Sequence, residues 1–311
     1  MIAKKAGRFA CALLAVMVSV VAGGSLVPAQ TLVSIGVFTN GDNNFSSLIQ
    51  GRDGAFYGTS LVGASRNDGS VFKVTTSGTI TTLHSFCSQS NCVDGYLPYG
   101  PLVLGTDGYF YGVAAGGTAN MGVIYRISST GSYKVIHSFL GSDGHGPDGL
   151  VWASDGNLYG VTTIGGSLGY GTIFKATTSG VVTTLHNFDF THGSDPSAAM
   201  AQGSDNNFYG TTAQGGTDNS CLGQPCGIVF KMTPSGSFTV LHNFNVNQGF
   251  DTFAPVVQAA NGTFYGLTQL GGLVNASCPN GCGTLYSITS NGTFQIVHKF
   301  QHSDGGNSPA H

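Results

Sequence analysis

The sequence contains no glutamate, because all 14 of its acidic residues are aspartate, and only 8% of its 311 residues are charged. Residues that favour long helices are therefore scarce, and no helical periodicity extends over any length of the chain after residue 29. Glycine is abundant, with 49 residues, and serine, threonine and asparagine are frequent. This composition excludes a helical protein and favours short strands joined by tight turns.

Basic residues are also few, and three of the 11, namely Lys4, Lys5 and Arg8, lie before an apolar stretch at 9–22. A short apolar run of this kind, followed by small residues at 27–29, is typical of a secretory signal peptide. We therefore expect residues 1–29 to be a signal peptide and residues 30–311 to form a single domain; a retained anchor is the alternative. The remaining 8 basic residues form no cluster against the 14 acidic ones. Nucleic acid is therefore not an expected partner, nor is membrane insertion expected after removal of the signal.

The cysteines after the leader fall into three local pairs. Close pairs in an exported chain favour disulfides, whereas a shared zinc ion would be the alternative use of neighbouring thiolates. No pair has a histidine at the spacing of a zinc finger, so we predict three short disulfides and a secreted or extracytoplasmic location. The pairs are Cys87/Cys92, Cys221/Cys226 and Cys278/Cys282.

Two markers recur five times in the chain at intervals of 48 to 56 residues. One is a Tyr-Gly dipeptide and the other is an apolar-His-x-Phe segment that closes each unit. The tyrosines are Tyr57, Tyr111, Tyr159, Tyr209 and Tyr265, and the closing phenylalanines are Phe86, Phe139, Phe188, Phe244 and Phe300. The interval is that of a four-stranded propeller blade. In the third unit, we predict strands at 150–153, 157–163, 172–177 and 181–188, with an Asp-Gly hairpin turn after the first.

The shared pattern DGxFYGTTxxGG…GxVFKxTxxGxxTxLHSF resembles the GloVer tandem repeat of secreted bacterial proteins described as choice-of-anchor proteins. The resemblance covers about residues 48–300. It implies a β-propeller-like, secreted protein and leaves the biochemical role open.

We predict an all-β fold, a β-propeller of four-stranded blades with five full repeats plus one extra N-terminal strand. The extra strand, at 31–38, aligns with the fourth strand of a unit and has Gly36 at the histidine position. The ring is then either five-bladed or an incomplete six-bladed one. Because exposed sheet edges are usually avoided, five blades with the extra strand covering an edge are favoured.

Histidine and aspartate recur with the repeat. A histidine that occurs once in every fourth strand is predicted to be structural, since catalysis needs one such group and not five. Four aspartates and one asparagine in the hairpin turns are also predicted to be structural. These are Asp53, Asp107, Asp155, Asp205 and Asn261.

A second series of aspartates lies five to eight residues before each first strand. These aspartates could line a rim and bind Ca²⁺ or sugar hydroxyls, but a role in capping turns is favoured. Its members are Asp42, Asp94, Asp143, Asp195 and Asp251, with Asp304 in the tail.

In a four-stranded blade, the loops between strands two and three share a face with the links between blades. This loop face carries the cysteine pairs, the Gly-Gly loops and the second aspartate series, and variable loops on a rigid scaffold are common binding sites. The candidate ligand-binding residues on this face are Asp94, Tyr96, Tyr99, Asp143, His145, Asp148, His192, Asp195 and Asp251. Trp152, the single tryptophan, lies in a first strand that should line the central channel, as a stacking platform or as a plug.

These observations favour a secreted, non-enzymatic binding propeller whose partner is a carbohydrate or a cell-surface protein. We assign no catalytic residue and no metal site, and Ca²⁺ is the one cofactor that the rim could bind. The alternatives are a hydrolase or lyase acting on polysaccharide and a structural matrix protein. An isolated aspartate pair at the channel mouth with one buried member would favour the enzyme, because glycosidases need two carboxylates in different environments. Exposed and evenly spread aspartates would favour binding or structure.

Overall fold

The computed structural model describes residues 13–15, 34–37, 46–63 and 67–304. In these residues, the chain is all-β apart from two single 3-10 turns at Ser90–Cys92 and His302–Asp304. Five four-stranded antiparallel sheets follow one another, and within each sheet the strands are neighbours in the order of the sequence. The predicted propeller of five full four-stranded blades is confirmed.

The blades have closely similar strand limits. Blade 1 comprises Ile49–Gln50, Phe56–Ser60, Ser70–Val74 and Ile80–Ser85. Blade 2 comprises Tyr96–Leu104, Phe110–Ala115, Val123–Ile127 and Tyr133–Ser138. Blade 3 comprises His145–Trp152, Leu158–Ile164, Thr172–Ala176 and Val182–Asn187. Blade 4 comprises Ala201–Gln202, Phe208–Thr212, Ile228–Met232 and Phe238–Asn243. Blade 5 comprises Val257–Gln258, Phe264–Thr268, Thr284–Ile288 and Phe294–Lys299.

The core lies between consecutive blades. In three of the four interfaces, the repeat tyrosine of one blade stacks on the phenylalanine that precedes the tyrosine in the next blade, with ring centroids 4.1 Å apart for Tyr57 and Phe110 and 3.9 Å apart for Tyr209 and Phe264. In the interface of blades 2 and 3, Tyr111 packs in one cluster with Leu158. Four clusters of buried apolar side chains fill the interfaces from blade 1 to blade 5. Burial of this apolar surface between sheets is the main term that stabilises the array.

Three of the five repeated histidines, His84, His186 and His242, stack on an aromatic ring of the next blade, as a structural role predicts. His84 stacks on Tyr133 with ring centroids 3.6 Å apart, and His186 stacks on Phe238 at 3.9 Å. Each ring also meets edge-on the phenylalanine two residues later. Burial lowers the pKa of both imidazoles, so they are neutral packing groups at pH 7.

The hairpin-turn aspartates organise the opposite end of each blade. Asp155 accepts hydrogen bonds from the Asn157 amide at 3.1 Å, the Tyr159 hydroxyl at 3.0 Å and the Lys175 ammonium at 2.8 Å. Although desolvation favours the neutral acid, these hydrogen bonds together hold the pKa of Asp155 at about 2. The turn role predicted for this series is confirmed.

Blade 5 has Asn261 and Ser287 where blade 3 has Asp155 and Lys175, and the Asn261 side chain still accepts a backbone hydrogen bond at 3.0 Å. We therefore expect the double variant Asp155→Asn, Lys175→Ser to lose less than about 1 kcal/mol of unfolding free energy at pH 7, as for other exposed ion pairs. Because the pKa of Asp155 is lowered on folding, this loss should shrink as the pH falls from about 4 towards 2.

Urea titrations of the two proteins at pH 7 and pH 2.5 measure this difference. A loss of several kcal/mol would mean that the ion pair, and not the backbone hydrogen bond of the turn, holds the hairpin together.

The extra N-terminal strand forms at Ser34–Val37, but its partner differs from the expected one. It pairs with Leu13–Ala15 in a separate two-stranded sheet and is not hydrogen-bonded to the edge of a blade. The extra strand is therefore hydrogen-bonded to the apolar segment that precedes it in the sequence. The rest of the predicted signal peptide, and Asp42, lie outside the described residues. No helix in the described part of the chain is long and apolar enough to cross a membrane.

Candidate functional site

Disulfides shape three loops of the loop face. Each cysteine pair expected from the sequence is joined, namely Cys87 with Cys92, Cys221 with Cys226 and Cys278 with Cys282. The sulfurs are therefore not zinc ligands. Among the described residues, no group of three or more histidine, cysteine or aspartate side chains is arranged to hold a metal ion.

Asp94 and Asp143 are both tied to their own loops. Asp94 is 1% exposed and accepts hydrogen bonds from the Ser88 amide and hydroxyl at 2.9 and 2.6 Å. Asp143 accepts from the Leu140 amide at 2.8 Å and lies 2.8 Å from Nε2 of His137. Both carboxylates are used in closing the link between two blades, which is the turn-capping role that the sequence favoured.

Four further candidates have local partners or no ligand-like setting. Tyr96 donates to Oδ1 of Asn120 at 3.3 Å, and the exposed His192 pairs with Asp189 at 2.8 Å. His145 opens the first strand of blade 3 and lies opposite Ile164. Trp152 stacks on Tyr111 with ring centroids 5.6 Å apart and packs against the core between blades 2 and 3. The packing role of Trp152 is thereby favoured over an open stacking platform.

The first strands of neighbouring blades come close together at two glycines. A Cβ atom on Gly149 would lie 2.5 Å from the Cβ of Ala199 in the next blade, and one on Gly100 would lie 3.5 Å from the Cα of Gly149. Both glycines have positive φ, +60° and +69°. Only glycine permits this approach, so the backbone of three blades converges beside Asp148.

Asp195 and Asp251 occupy equivalent positions in blades 4 and 5, just before the first strands. Both have left-handed backbone conformations, with φ of 54° and 56°. Their carbonyl groups accept hydrogen bonds from Ala213 and Gln269 at 3.0 Å, which pins each residue to the second strand of its own blade. Non-glycine residues in this conformation are uncommon and often lie at functional sites.

Tyr99, Asp148, Asp195 and Asp251 form one electrostatic neighbourhood, which we call the acidic mouth. Burial and then the charge of Asp195 raise the pKa of Asp148 to about 6. The same two causes raise the pKa of Asp251, and the pKa of the Tyr99 hydroxyl is raised by burial, by Tyr96 and by Asp148. Partial burial and the negative charge of Asp195 therefore act in the same direction on Asp148 and on Asp251.

Among the described residues, no basic side chain forms an ion pair with the acidic mouth. Every ion pair among the described residues involves other aspartates. The side-chain hydrogen bond given to the acidic mouth comes from a neutral group, the hydroxyl of Ser197, which donates to Asp195 at 2.7 Å. Tyr99 is 40% exposed at the edge of this group. Carboxylates left without a cation are acceptors for hydroxyl groups or for a hard cation such as Ca²⁺.

The sequence placed Asp94, Asp143, Asp195 and Asp251 in one series, but the structure divides them. Asp94 and Asp143 lie eight and seven residues before the apolar residues Leu102 and Leu150 of their first strands, whereas Asp195 and Asp251 lie five residues before Met200 and Val256. This difference in spacing distinguishes Asp94 and Asp143, which close loops, from Asp195 and Asp251, which belong to the acidic mouth. The side chains of Asp42 and Asp304 lie outside the described residues.

Tandem four-stranded repeats arranged as a propeller, with a polar site where the first strands meet, define the class of this protein. The chain belongs to the Gloeobacter/Verrucomicrobia repeat family, a model of which matches residues 20–151 and 105–311. No curated protein matches the chain.

Solved structures with a similar fold include several enzymes. A puromycin-hydrolyzing peptidase of Mycobacterium tuberculosis is 9% identical, with a TM-score of 0.56 over 86% of this chain and 40% of that one. A proposed gluconolactonase is 13% identical, with a TM-score of 0.52 over 84% of this chain and 80% of that one. A calcium-binding regucalcin of Agrobacterium tumefaciens is 14% identical, with a TM-score of 0.50 over 83% and 74% of the two chains. At these identities, the similarity shows a common fold alone.

Proposed function

We propose that the protein is a secreted binding propeller that holds a hydroxyl-rich ligand, a glycan, at the acidic mouth. The observation that carries this proposal is the backbone approach at Gly149 and Ala199, which brings Asp148 towards Asp195 beside the exposed ring of Tyr99. Among the described residues, no ion pair involves Asp148, Asp195 or Asp251. The three disulfides support an oxidising, extracytoplasmic location.

Each part of the acidic mouth suits a sugar. An aromatic ring offers an apolar surface for a sugar face, and ionised carboxylates accept strong hydrogen bonds from hydroxyl groups. A ligand hydroxyl that donates to Asp148 would also offset the cost of burying its charge. Because Asp148 must be ionised to act only as an acceptor, binding should weaken as the pH falls through about 6.

Thermal melting with Ca²⁺ and with a panel of soluble polysaccharides tests the proposal. A ligand present at 100 times its dissociation constant stabilises the folded state by about 2.7 kcal/mol, which gives a clear rise in melting temperature. We expect a glycan to cause this rise in the native protein and the effect to be lost in the variants Asp195→Asn and Asp251→Asn. The matched control is Asp155→Asn, which removes an aspartate from a hairpin turn outside the acidic mouth.

A rise that survives in both Asp195→Asn and Asp251→Asn, or no rise with any glycan, would contradict the proposal. A rise with Ca²⁺ alone that depends on these residues would make the acidic mouth a calcium site, as the calcium-binding regucalcin of similar fold suggests.

A specific observation favours hydrolysis as a second candidate function. The pKa of Asp148 is raised to about 6 by burial and by the charge of its neighbour Asp195. Two carboxylates in different environments are what an acid–base pair requires, with Asp148 as the proton donor and Asp195 as the second carboxylate. The puromycin-hydrolyzing peptidase and other hydrolases share the fold.

Release of reducing ends from a bound polysaccharide distinguishes the two functions. Hydrolysis predicts release by the native protein and none by Asp148→Asn, although that variant still binds. Binding without release by the native protein would reject the hydrolase.

A further inference from the structure

The link between blades 3 and 4 holds an aromatic residue in a left-handed backbone conformation. Phe190 has a φ of 70°, a region that bulky side chains rarely adopt. The residue at the same place in the preceding link, two positions after the closing phenylalanine, is Gly141, with a φ of 86°. Among the described residues, no other aromatic side chain is attached to a backbone with positive φ. A glycine would therefore fit this link with less strain.

The two links are held by the same backbone hydrogen bonds. The Phe190 amide donates to the Gly193 carbonyl at 3.1 Å, and the Gly193 amide donates to the Phe190 carbonyl at 3.3 Å. The corresponding distances between Gly141 and Gly144 are 3.2 and 3.3 Å. Because a glycine makes these hydrogen bonds equally well, the path of the chain does not require a phenylalanine. The side chain is therefore what distinguishes this position, and strained residues of this kind cluster at ligand sites.

The ring of Phe190 packs beside a second aromatic ring at the surface. Its centroid lies 5.3 Å from that of Tyr170, with 44° between the ring planes. Tyr170 is 41% exposed and Phe190 is partly exposed, and Leu168, two residues before Tyr170, is 52% exposed. We call Tyr170 and Phe190 the aromatic ledge. It presents apolar ring surface to solvent on the loop face.

The aromatic ledge adjoins the acidic mouth. The Asp195 amide donates to the Tyr170 carbonyl at 3.3 Å, so the two sites are joined through the backbone. In the two preceding blade interfaces, the carbonyl that accepts the equivalent hydrogen bond belongs to Asp68 and to Met121, neither of which is aromatic. A ligand that extends from Asp195 across the loops of blade 3 therefore reaches an aromatic pair.

We propose that the aromatic ledge is a second sugar subsite, which stacks on one ring of a glycan while another ring of the same glycan occupies the acidic mouth. This inference rests on the proposed function, and it narrows the ligand to a chain of linked sugars. The C–H face of a sugar ring is apolar and packs on aromatic surface. The exposed ion pair of His192 and Asp189, 2.8 Å apart in the same turn as Phe190, offers polar groups to the hydroxyls at the edge of that sugar.

A protein partner fits the aromatic ledge less well. Stable protein interfaces bury about 800 Å² on each side, which is far more than two partly exposed rings offer. The residues on both sides of Phe190 in the sequence, Asp189 and Thr191, are exposed and polar, as is His192. A narrow apolar strip with a polar border suits the flat face of one sugar ring.

Isothermal titration calorimetry with single sugars and with linear chains of six sugars, taken from the gluco, xylo and manno series, tests the proposal. Phe190→Gly removes one ring and installs the residue that the preceding link already has, and Tyr170→Ser removes the other ring. The matched control is Leu222→Gly, because Leu222 is also an apolar residue of positive φ, 66% exposed with a φ of 53°, in a loop of blade 4. Asp195→Asn reports on the acidic mouth.

We expect six-sugar chains to bind the native protein more tightly than single sugars. Phe190→Gly and Tyr170→Ser should each weaken binding of the six-sugar chain about tenfold and leave binding of the single sugar unchanged. Leu222→Gly should change neither affinity. The far-ultraviolet circular dichroism of all three variants should match that of the native protein, since the backbone hydrogen bonds of the links are kept.

Full affinity of both ledge variants for the six-sugar chain, with loss of binding in Asp195→Asn, would overturn the aromatic ledge as a subsite and leave the acidic mouth in place. Equal losses for the single sugar and the chain would also overturn it, because the ledge would then act on the sugar in the acidic mouth. Absence of any binding by the native protein would contradict the proposed function together with the subsite. A native dimer that Phe190→Gly dissociates would overturn the subsite by showing that a second copy covers the ledge.

Discussion

Replacing Phe188 with alanine should lower the free energy of unfolding by about 3–5 kcal/mol, the usual cost of deleting a fully buried phenylalanine. Phe188 is 0% exposed and lies edge-on to Phe230 and Phe238 of blade 4, with ring centroids 5.7 Å from each. The cavity left behind would lie between two rigid sheets, which cannot collapse to fill it.

The same change at Phe300 provides the matched comparison. Phe300 occupies the equivalent position in blade 5 but is partly exposed, so Phe300→Ala should cost about 1–2 kcal/mol. Urea titrations followed by circular dichroism measure both values under one set of conditions. Equal costs at the two positions would show that Phe300 is packed as tightly in solution as Phe188.

Asp148→Asn should stabilise the protein, by an amount that depends on pH. Burial raises the pKa of Asp148 from 3.8 to about 6, so the folded state disfavours the ionised form. Stability from the neutral acid is complete below about pH 4 and is lost as the pH rises through about 6. At 1.36 kcal/mol for each pKa unit, ionisation of Asp148 lowers the free energy of unfolding at pH 8 by about 3 kcal/mol. The neutral asparagine restores this amount.

The gain should therefore be close to its maximum at pH 8 and near zero at pH 4, as measured by urea titration at several pH values. Asp143→Asn is the control with the opposite sign, because Asp143 accepts hydrogen bonds from Leu140 and His137, and it should lose about 1 kcal/mol at pH 7. No gain for Asp148→Asn at pH 8 would mean that the carboxylate is solvated or paired in solution. A gain accompanied by lost ligand binding would identify a group kept for function at a cost in stability.

The repeat period was sufficient to predict the blades, because one hydrophobic pattern occurs five times and each copy must bury its faces against a neighbour. In blade 3, the second, third and fourth strands differ from the predicted limits by one residue at each shifted end. The first strand was predicted at 150–153 but begins at His145. Its Gly-Pro-Asp-Gly segment has the composition of a loop, yet Pro147 and Asp148 pair with the second strand at Thr162 and Val161. Tertiary pairing overrides local propensity there.

The acidic mouth could be predicted only in part. All four of its residues were candidates on the loop face, but the sequence did not show which aspartates meet. Asp148 and Asp195 are 47 residues apart, and the backbone approach at Gly149 and Ala199 that brings their blades together is a feature of the folded ring. Likewise, Asp94 and Asp143 form hydrogen bonds within their own loops and are not part of the site. Those hydrogen bonds depend on loop conformations that are not repeated from blade to blade.

Titration of the Asp148 carboxyl carbon by NMR tests the central claim, that the acidic mouth holds a partly buried carboxylate, Asp148, coupled to the charge of Asp195. We predict a pKa of about 6 in the native protein and a lower value in Asp195→Asn, which removes the neighbouring charge and leaves the burial. A pKa near 3.8 that does not change in Asp195→Asn would contradict the account and would remove the basis for a ligand site at the acidic mouth.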